Sequence, residues 1–162
     1  MGDLQNKIQY FYGYKAFGKG LQNQFAEKFI VGQVYSLHDD ISYQKNGFHF
    51  CENLEDVLRY YDGMNEDIDI CQVVGFGNVK SYEDEYYDYQ IYVADHMQIL
   101  KVLSRKEIIE YAKGLNDLRL CRFISGFALN EDEIAYLLEK RSLQVQKYIQ
   151  YYQYGDKDAF KR

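Results

Sequence analysis

Proline and tryptophan are absent from the 162 residues, and cysteine and histidine occur three times each. Without proline, and with no Pro/Gly/Ser-rich stretch or internal repeat, nothing in the chain reads as a linker between two domains. Cys51, Cys71 and Cys121 lie far apart with no C-x-x-C pair, and His38, His49 and His96 show no ligand spacing, so no metal site is expected. The odd, scattered cysteines fit a reducing compartment and read as small buried apolar side chains. No uncharged apolar run reaches the roughly 18 residues that span a bilayer. The first residues also lack the apolar core of a signal peptide, so a cytoplasmic location without membrane contact is expected.

What the chain does contain is aromatic and acidic. There are 18 tyrosines and 10 phenylalanines, residues that favour strands and half-wet surfaces. Apolar residues make up 47% and charged residues 27%, with a mean hydropathy of −0.51, which is a globular composition. A chain of this length fits one domain that buries roughly two thirds of its unfolded surface. Residues 1–103 carry 8 Lys/Arg against 16 Asp/Glu, whereas residues 104–162 carry 11 against 9. Between Glu52 and Asp95 twelve carboxylates face only Arg59 and Lys80. Such a surface repels a phosphate backbone, so no direct nucleic-acid binding is expected.

The hydrophobic pattern divides the chain the same way. Residues 8–17, 29–35, 70–79, 89–94 and 98–103 read as strands, with two glycines in 70–79 marking a bulge or a bend. A short helix fits 54–61, capped by Asn53 and ended by Gly63. The acidic run 82–89 reads as a loop before the next strand. Ser104 with Glu107 predicts a capping box on a helix running to Gly114, and Asn130 with Glu133 repeats it. Ile134, Leu137, Leu138, Val145, Tyr148, Ile149 and Tyr152 then form one apolar stripe over about six turns, a core face or a dimer seam through the C-terminal helix. Strands first and helices after predict an α+β domain with a mixed, mostly antiparallel sheet: a strand-rich core over 1–103 and helices over 104–162.

Three blocks in order, Tyr12 to Phe17 (YGYKAF), Val31 to Tyr35 (VGQVY) and Gly47 to Tyr61 (GFHFCENLEDVLRYY), resemble an uncharacterised family found in phages and prophages of bacteria. A second resemblance is to the ADP-ribosyltransferase fold of poly-ADP-ribose polymerases and bacterial toxins. It rests on Tyr14-Lys15-Ala16-Phe17, on Gly47-Phe48-His49-Phe50, and on Gln90 to Leu100 (QIYVADHMQIL), over roughly residues 10–103.

That second resemblance implies a split sheet, NAD or an ADP-ribosyl group as ligand, and three site residues. Lys15 would hold the adenosine or ribose, His49 would help seat the nicotinamide, and Gln90 would stand where the catalytic glutamate does. Glutamine can hydrogen-bond a ribose hydroxyl but brings no charge to a developing cation. The implied site is therefore degenerate, a mono-ADP-ribosyltransferase or NAD glycohydrolase if active at all. Restoring the carboxylate with Gln90→Glu would then raise NAD hydrolysis.

A different class of function rests on the acidic run itself. Tyr82, Glu83, Asp84, Glu85, Tyr86, Tyr87 and Asp88 form an aromatic-edged row of carboxylates suited to a basic surface on a host or defence protein. On that reading the chain is a non-enzymatic inhibitor, its carboxylates imitating a phosphate backbone to a nucleic-acid enzyme.

Overall fold

The computed structural model describes residues 7–23, 25–61, 63–64, 67–84, 86 and 88–162. Five strands, β1 (Phe11–Gly18), β2 (Val34–Ser36), β3 (Phe48–Cys51), β4 (Ile68–Asp84) and β5 (Tyr89–Val102), precede most of the helix. A short α1 (Leu54–Val57) lies between β3 and β4, and α2 (Arg105–Lys113), α3 (Asp117–Gly126), α4 (Glu131–Leu138) and α5 (Leu143–Tyr148) follow β5. The fold is α+β, as the sequence predicts, and every pairing between the named strands is antiparallel.

β4 and β5 make one long hairpin around which the sheet closes. β4 carries β1 along Ile68–Gly75, and β5 carries β3 along Ile91–Ala94 and β2 along His96–Gln98. β1 and β3 meet at a single register pair, Tyr14 opposite Cys51, which completes the circuit β1–β4–β5–β3. Glycines allow that curvature. The register shifts between Phe76 and Val79, where Gly77 has φ +83°, so the expected bulge forms. Gly13 lets the backbones of β1 and β3 touch, because a Cβ there would overlap the Cys51 carbonyl and lie 2.7 Å from the Phe50 ring.

The sheet has two apolar faces. Phe17, Phe50, Cys71, Val73, Met97 and Ile99 fill one cluster. Ala16, Cys51, Ile70 and Ile91 face the other way and merge with Leu54, Ile109, Leu120, Phe123, Leu137 and Ile149, so sheet and helices share a core.

Several expectations shift. Residues 29–33 are not strand: Gly32 turns at φ +87° and donates its N–H to Ile99 O at 2.8 Å, leaving only Val34–Ser36 paired. Residues 89–102 form one strand rather than two, and the expected loop at 82–84 is the end of β4. Asn53 sits at the start of α1 without a side-chain cap, its place taken by the Tyr111 hydroxyl, 3.2 Å from Leu54 N. α1 ends at Val57, well before Gly63. Both capping boxes, at Ser104 and Asn130, are present.

The six-turn C-terminal helix is broken. Lys140 adopts φ +58°, and Arg141 leaves the helix to cap the end of α2, donating to Lys113 O at 2.7 Å and Leu115 O at 2.6 Å. α5 then restarts at Ser142 and ends in a π-helical turn, Ile149–Gln153. Ile134, Leu137, Val145 and Ile149 of the stripe are buried in the chain's own core. The sequence pattern does not mark α3, whose Asn116 accepts from Arg119 N at the cap.

Candidate functional site

Beyond Tyr14–Cys51 the strands β1 and β3 part, since no further pair joins Lys15, Ala16 or Phe17 to Phe50, His49 or Phe48. A cavity of about 590 Å³ opens in this split. Its walls come from β1 and β3, from the loops at 23–29 and 43–47, from Val57 at the end of α1, and from Tyr60 and Tyr61 after it.

Lys15 and His49 both line it. Lys15 Nζ donates to the backbone carbonyl of His49 at 2.6 Å, satisfying an oxygen that the opened ladder would otherwise leave bare. No carboxylate of the described residues forms an ion pair with this amine. Burial pushes its pKa down to about 8, a drop only partly countered by Cys51. His49 has both ring nitrogens engaged: Nε2 accepts from Gln44 N at 2.9 Å, which leaves Nδ1 to donate to Gly47 O at 3.1 Å. Burial is the main cause holding its pKa below the usual imidazole value, and nearby Lys15 adds to it. His49 therefore pins the loop that roofs the cavity and presents a neutral ring.

Gln90 lies outside this constellation. It stands opposite Glu83 on β4 and accepts from Glu52 N through its backbone carbonyl at 3.1 Å, while its neighbour Ile91 reaches the cavity wall. The split sheet thus brings Lys15 and His49 together and leaves Gln90 one strand away. Cys51, also in the lining, is buried, and its thiol is pushed up to about 12 by burial and by Asp56, which makes it a poor nucleophile.

Tyr43 and Tyr60, not singled out from the sequence, complete the wall. Tyr43 stacks on Tyr82 with ring centroids 4.7 Å apart. Burial is the largest cause raising the Tyr60 hydroxyl. Arg59 lies over the Tyr89 ring at 4.3 Å. Tyr60 and Tyr61 do belong to the block from Gly47 to Tyr61, so a signal was available.

Behind the cavity, α1 carries two buried carboxylates, Glu55 and Asp56. Arg119 Nη1 pairs with Glu55 at 2.7 Å, and the Tyr111 hydroxyl donates to the other Glu55 oxygen at 2.8 Å. Arg119 also holds Asp88 at 2.8 Å, and Arg122 approaches Asp56 at 3.6 Å. Asp56 Oδ1 is buried without a hydrogen-bond partner, and burial with the neighbouring Glu55 raises its pKa to about 6.

Of the acidic run, Tyr82, Glu83 and Asp84 end β4, with Tyr82 half-buried against Tyr43 and Glu83 exposed. Tyr86 is 87% exposed, and Asp88 is committed to Arg119. Glu85 and Tyr87 lie outside the described residues. Among the described residues no cluster of His, Cys, Asp and Glu could hold a metal ion, and no helix is long and apolar enough to cross a membrane.

Neither a curated protein nor a solved structure matches the chain. A family match covers residues 11–111, from the start of β1 into α2, and so takes in every residue that lines the cavity. On that match, which spans more than half of its length, the chain belongs to the family described as domain of unknown function DUF7666.

Proposed function

We propose that the protein is an ADP-ribosyltransferase-like ligand-binding protein that takes NAD or an ADP-ribosyl group into the β1/β3 cavity, with weak or absent transfer activity. The observation that carries this reading is the Lys15 ammonium, without an ion-pair partner among the described residues, inside an aromatic-walled split between two strands. A half-buried cation without a counter-ion among the described residues favours an anionic ligand. Although the chain is acidic overall, among the described residues the lining holds Lys15 and Lys45 against Glu27 alone. A volume near 590 Å³ suits a ligand of this class. With Gln90 off the cavity and Glu27 exposed on a loop and bonded to Asn23, no buried carboxylate of the lining faces a developing oxocarbenium centre.

Calorimetric titration of the wild-type protein with NAD and with ADP-ribose tests the reading. Binding is expected, weakened about tenfold or more by Lys15→Met through loss of a charge-assisted contact. No heat with either ligand from folded wild-type protein overturns it.

The second reading places a basic host or defence protein on the hairpin end of β4 and β5, in the setting of a phage or mobile element within a bacterial cytoplasm. It is favoured by the exposed Glu83 and Tyr86, and by the pinning of Asp88 to Arg119, which holds the ribbon end in place. A lysate partner released as salt rises supports it, and loss of no partner with salt counts against it.

A further inference from the structure

We propose that Lys15 is a nucleophilic amine that condenses with an aldehyde or ketone on an anionic ligand in the β1/β3 cavity, forming an imine. This goes deeper into the ligand-binding reading above and rests on it for the identity of the site.

The geometry supplies what such an amine needs. Lys15 Nζ has one described polar partner, the His49 carbonyl at 2.6 Å, which takes one N–H and aims the group. The Phe17 ring lies 5.7 Å away, and the register partner of Lys15 on β4 is Cys71. Among the described residues, the charged and titratable groups that line the cavity with Lys15 are Tyr14 on β1, His49 and Cys51 on β3, Tyr60 and Tyr61 after α1, and Glu27, Tyr43 and Lys45 on the cavity loops. His49 is held neutral, the Cys51 thiol is pushed up to about 12, and Glu27 is bonded to Asn23 Nδ2 at 2.7 Å. No acid of the described residues therefore locks the amine as an ion pair. A desolvated lysine of this kind is the form that carries Schiff-base chemistry. Its pKa of about 8 supports the same assignment.

In the step, the neutral Nζ lone pair attacks the carbonyl carbon and the carbonyl electrons move to oxygen. The new ammonium gives up a proton and the oxygen gains one. The resulting carbinolamine loses that oxygen as water to leave the C=N bond. Amine and carbonyl become imine and water, with no change of oxidation state. Lys45, exposed at the rim, is placed to meet the ligand's anionic group.

Pyridoxal 5′-phosphate is the probe, carrying an aldehyde, an aromatic ring and a phosphate. Borohydride then reduces any imine by delivering hydride to its carbon, and the labelled lysine is mapped by peptide mass. A lysine of pKa about 8 is roughly 300-fold richer in free amine at about pH 7 than one at the ordinary 10.5, and lower basicity and burial offset part of that. Lys15 is expected to label about tenfold faster than exposed Lys19, with a rate rising through about pH 8. Labelling of Lys15 no faster than Lys19 overturns the inference.

Lys15→Arg, which keeps the charge and removes the nucleophile, separates the two proposals. If wild type and this variant both bind ADP-ribose while Lys15 stays unlabelled, the imine fails and the binding reading stands. If Lys15 labels selectively but neither NAD nor ADP-ribose binds, the dinucleotide reading fails and the reactive amine stands.

Discussion

Arg119 of α3 lies 2.7 Å from Glu55 of α1, a contact that spans 64 residues of sequence and ties the element behind the cavity to the helical layer. Glu55 is 2% exposed, so its charge is viable only because Arg119 and the Tyr111 hydroxyl surround it.

Arg119→Met is expected to destabilise the protein by about 3–5 kcal/mol, because it strands Glu55 and weakens the support of Asp56 together. The double change Glu55→Gln with Arg119→Met should recover part of that loss. Urea denaturation of the four proteins in the cycle measures it, and a single-variant cost below about 1 kcal/mol contradicts the assignment.

Asp56 sets a pH dependence. Its folded pKa, about 6, stands above the ordinary 3.8, so the native state holds a proton between those values that the unfolded chain has released. The stabilisation from this group is fully present below pH 3.8 and is lost as pH rises through 6. Relative to Asp56→Asn, the wild type should lose about 2–3 kcal/mol between about pH 4 and about pH 7, since the amide of the variant does not titrate while other groups cancel in the difference. A difference that stays flat across this range excludes the effect.

Gly13 closes the seam that defines one end of the cavity. A Cβ there overlaps the Cys51 carbonyl, so Gly13→Ala should force β1 from β3 and cost about 1–3 kcal/mol. Thermal melting should show a fall of about 2–10 °C. Gly114→Ala is the control: its Cβ would lie 3.6 Å from Tyr111 O, and its φ of −80° suits any residue. Equal melting temperatures for wild type and Gly13→Ala would show that the seam gives way without strain.

Gln90→Glu is expected to leave NAD hydrolysis and NAD affinity at wild-type values, because position 90 does not line the cavity. It should cost about 0.5 kcal/mol through cross-strand repulsion with Glu83. A rise in hydrolysis would return Gln90 to the site and require β5 to shift.

The helix boundaries at Ser104, Gly114 and Asn130 were legible because a capping residue acts on amides within three or four positions of itself. The strand character of β1, β4 and β5 was equally local, carried by alternation and β-branched or aromatic side chains. Lys15 and His49 were legible as candidates through blocks that resemble known families, and both line the cavity, as does Tyr60 from one of the same blocks.

Other features depended on contacts distant in sequence. The stripe from Ile134 to Tyr152 fits one helix by periodicity, yet Arg141 is drawn away by the carbonyls at the end of α2, and the helix breaks. Gly32 ends the expected strand at 29–33 because its N–H is taken by Ile99. The fate of Gln90 depended on how far β1 and β3 stay paired before they part. Tyr14–Cys51 is their last register pair, so the cavity forms at Lys15 and His49, one strand away from Gln90. Local pattern determined which residues were strand or helix, since propensity and capping act within a few residues. Which side chains share a cavity was decided by sheet closure, where Gly13 permits one close approach of β1 and β3 and no register pair joins them beyond Tyr14–Cys51, a pairing that residues distant in sequence must meet to make.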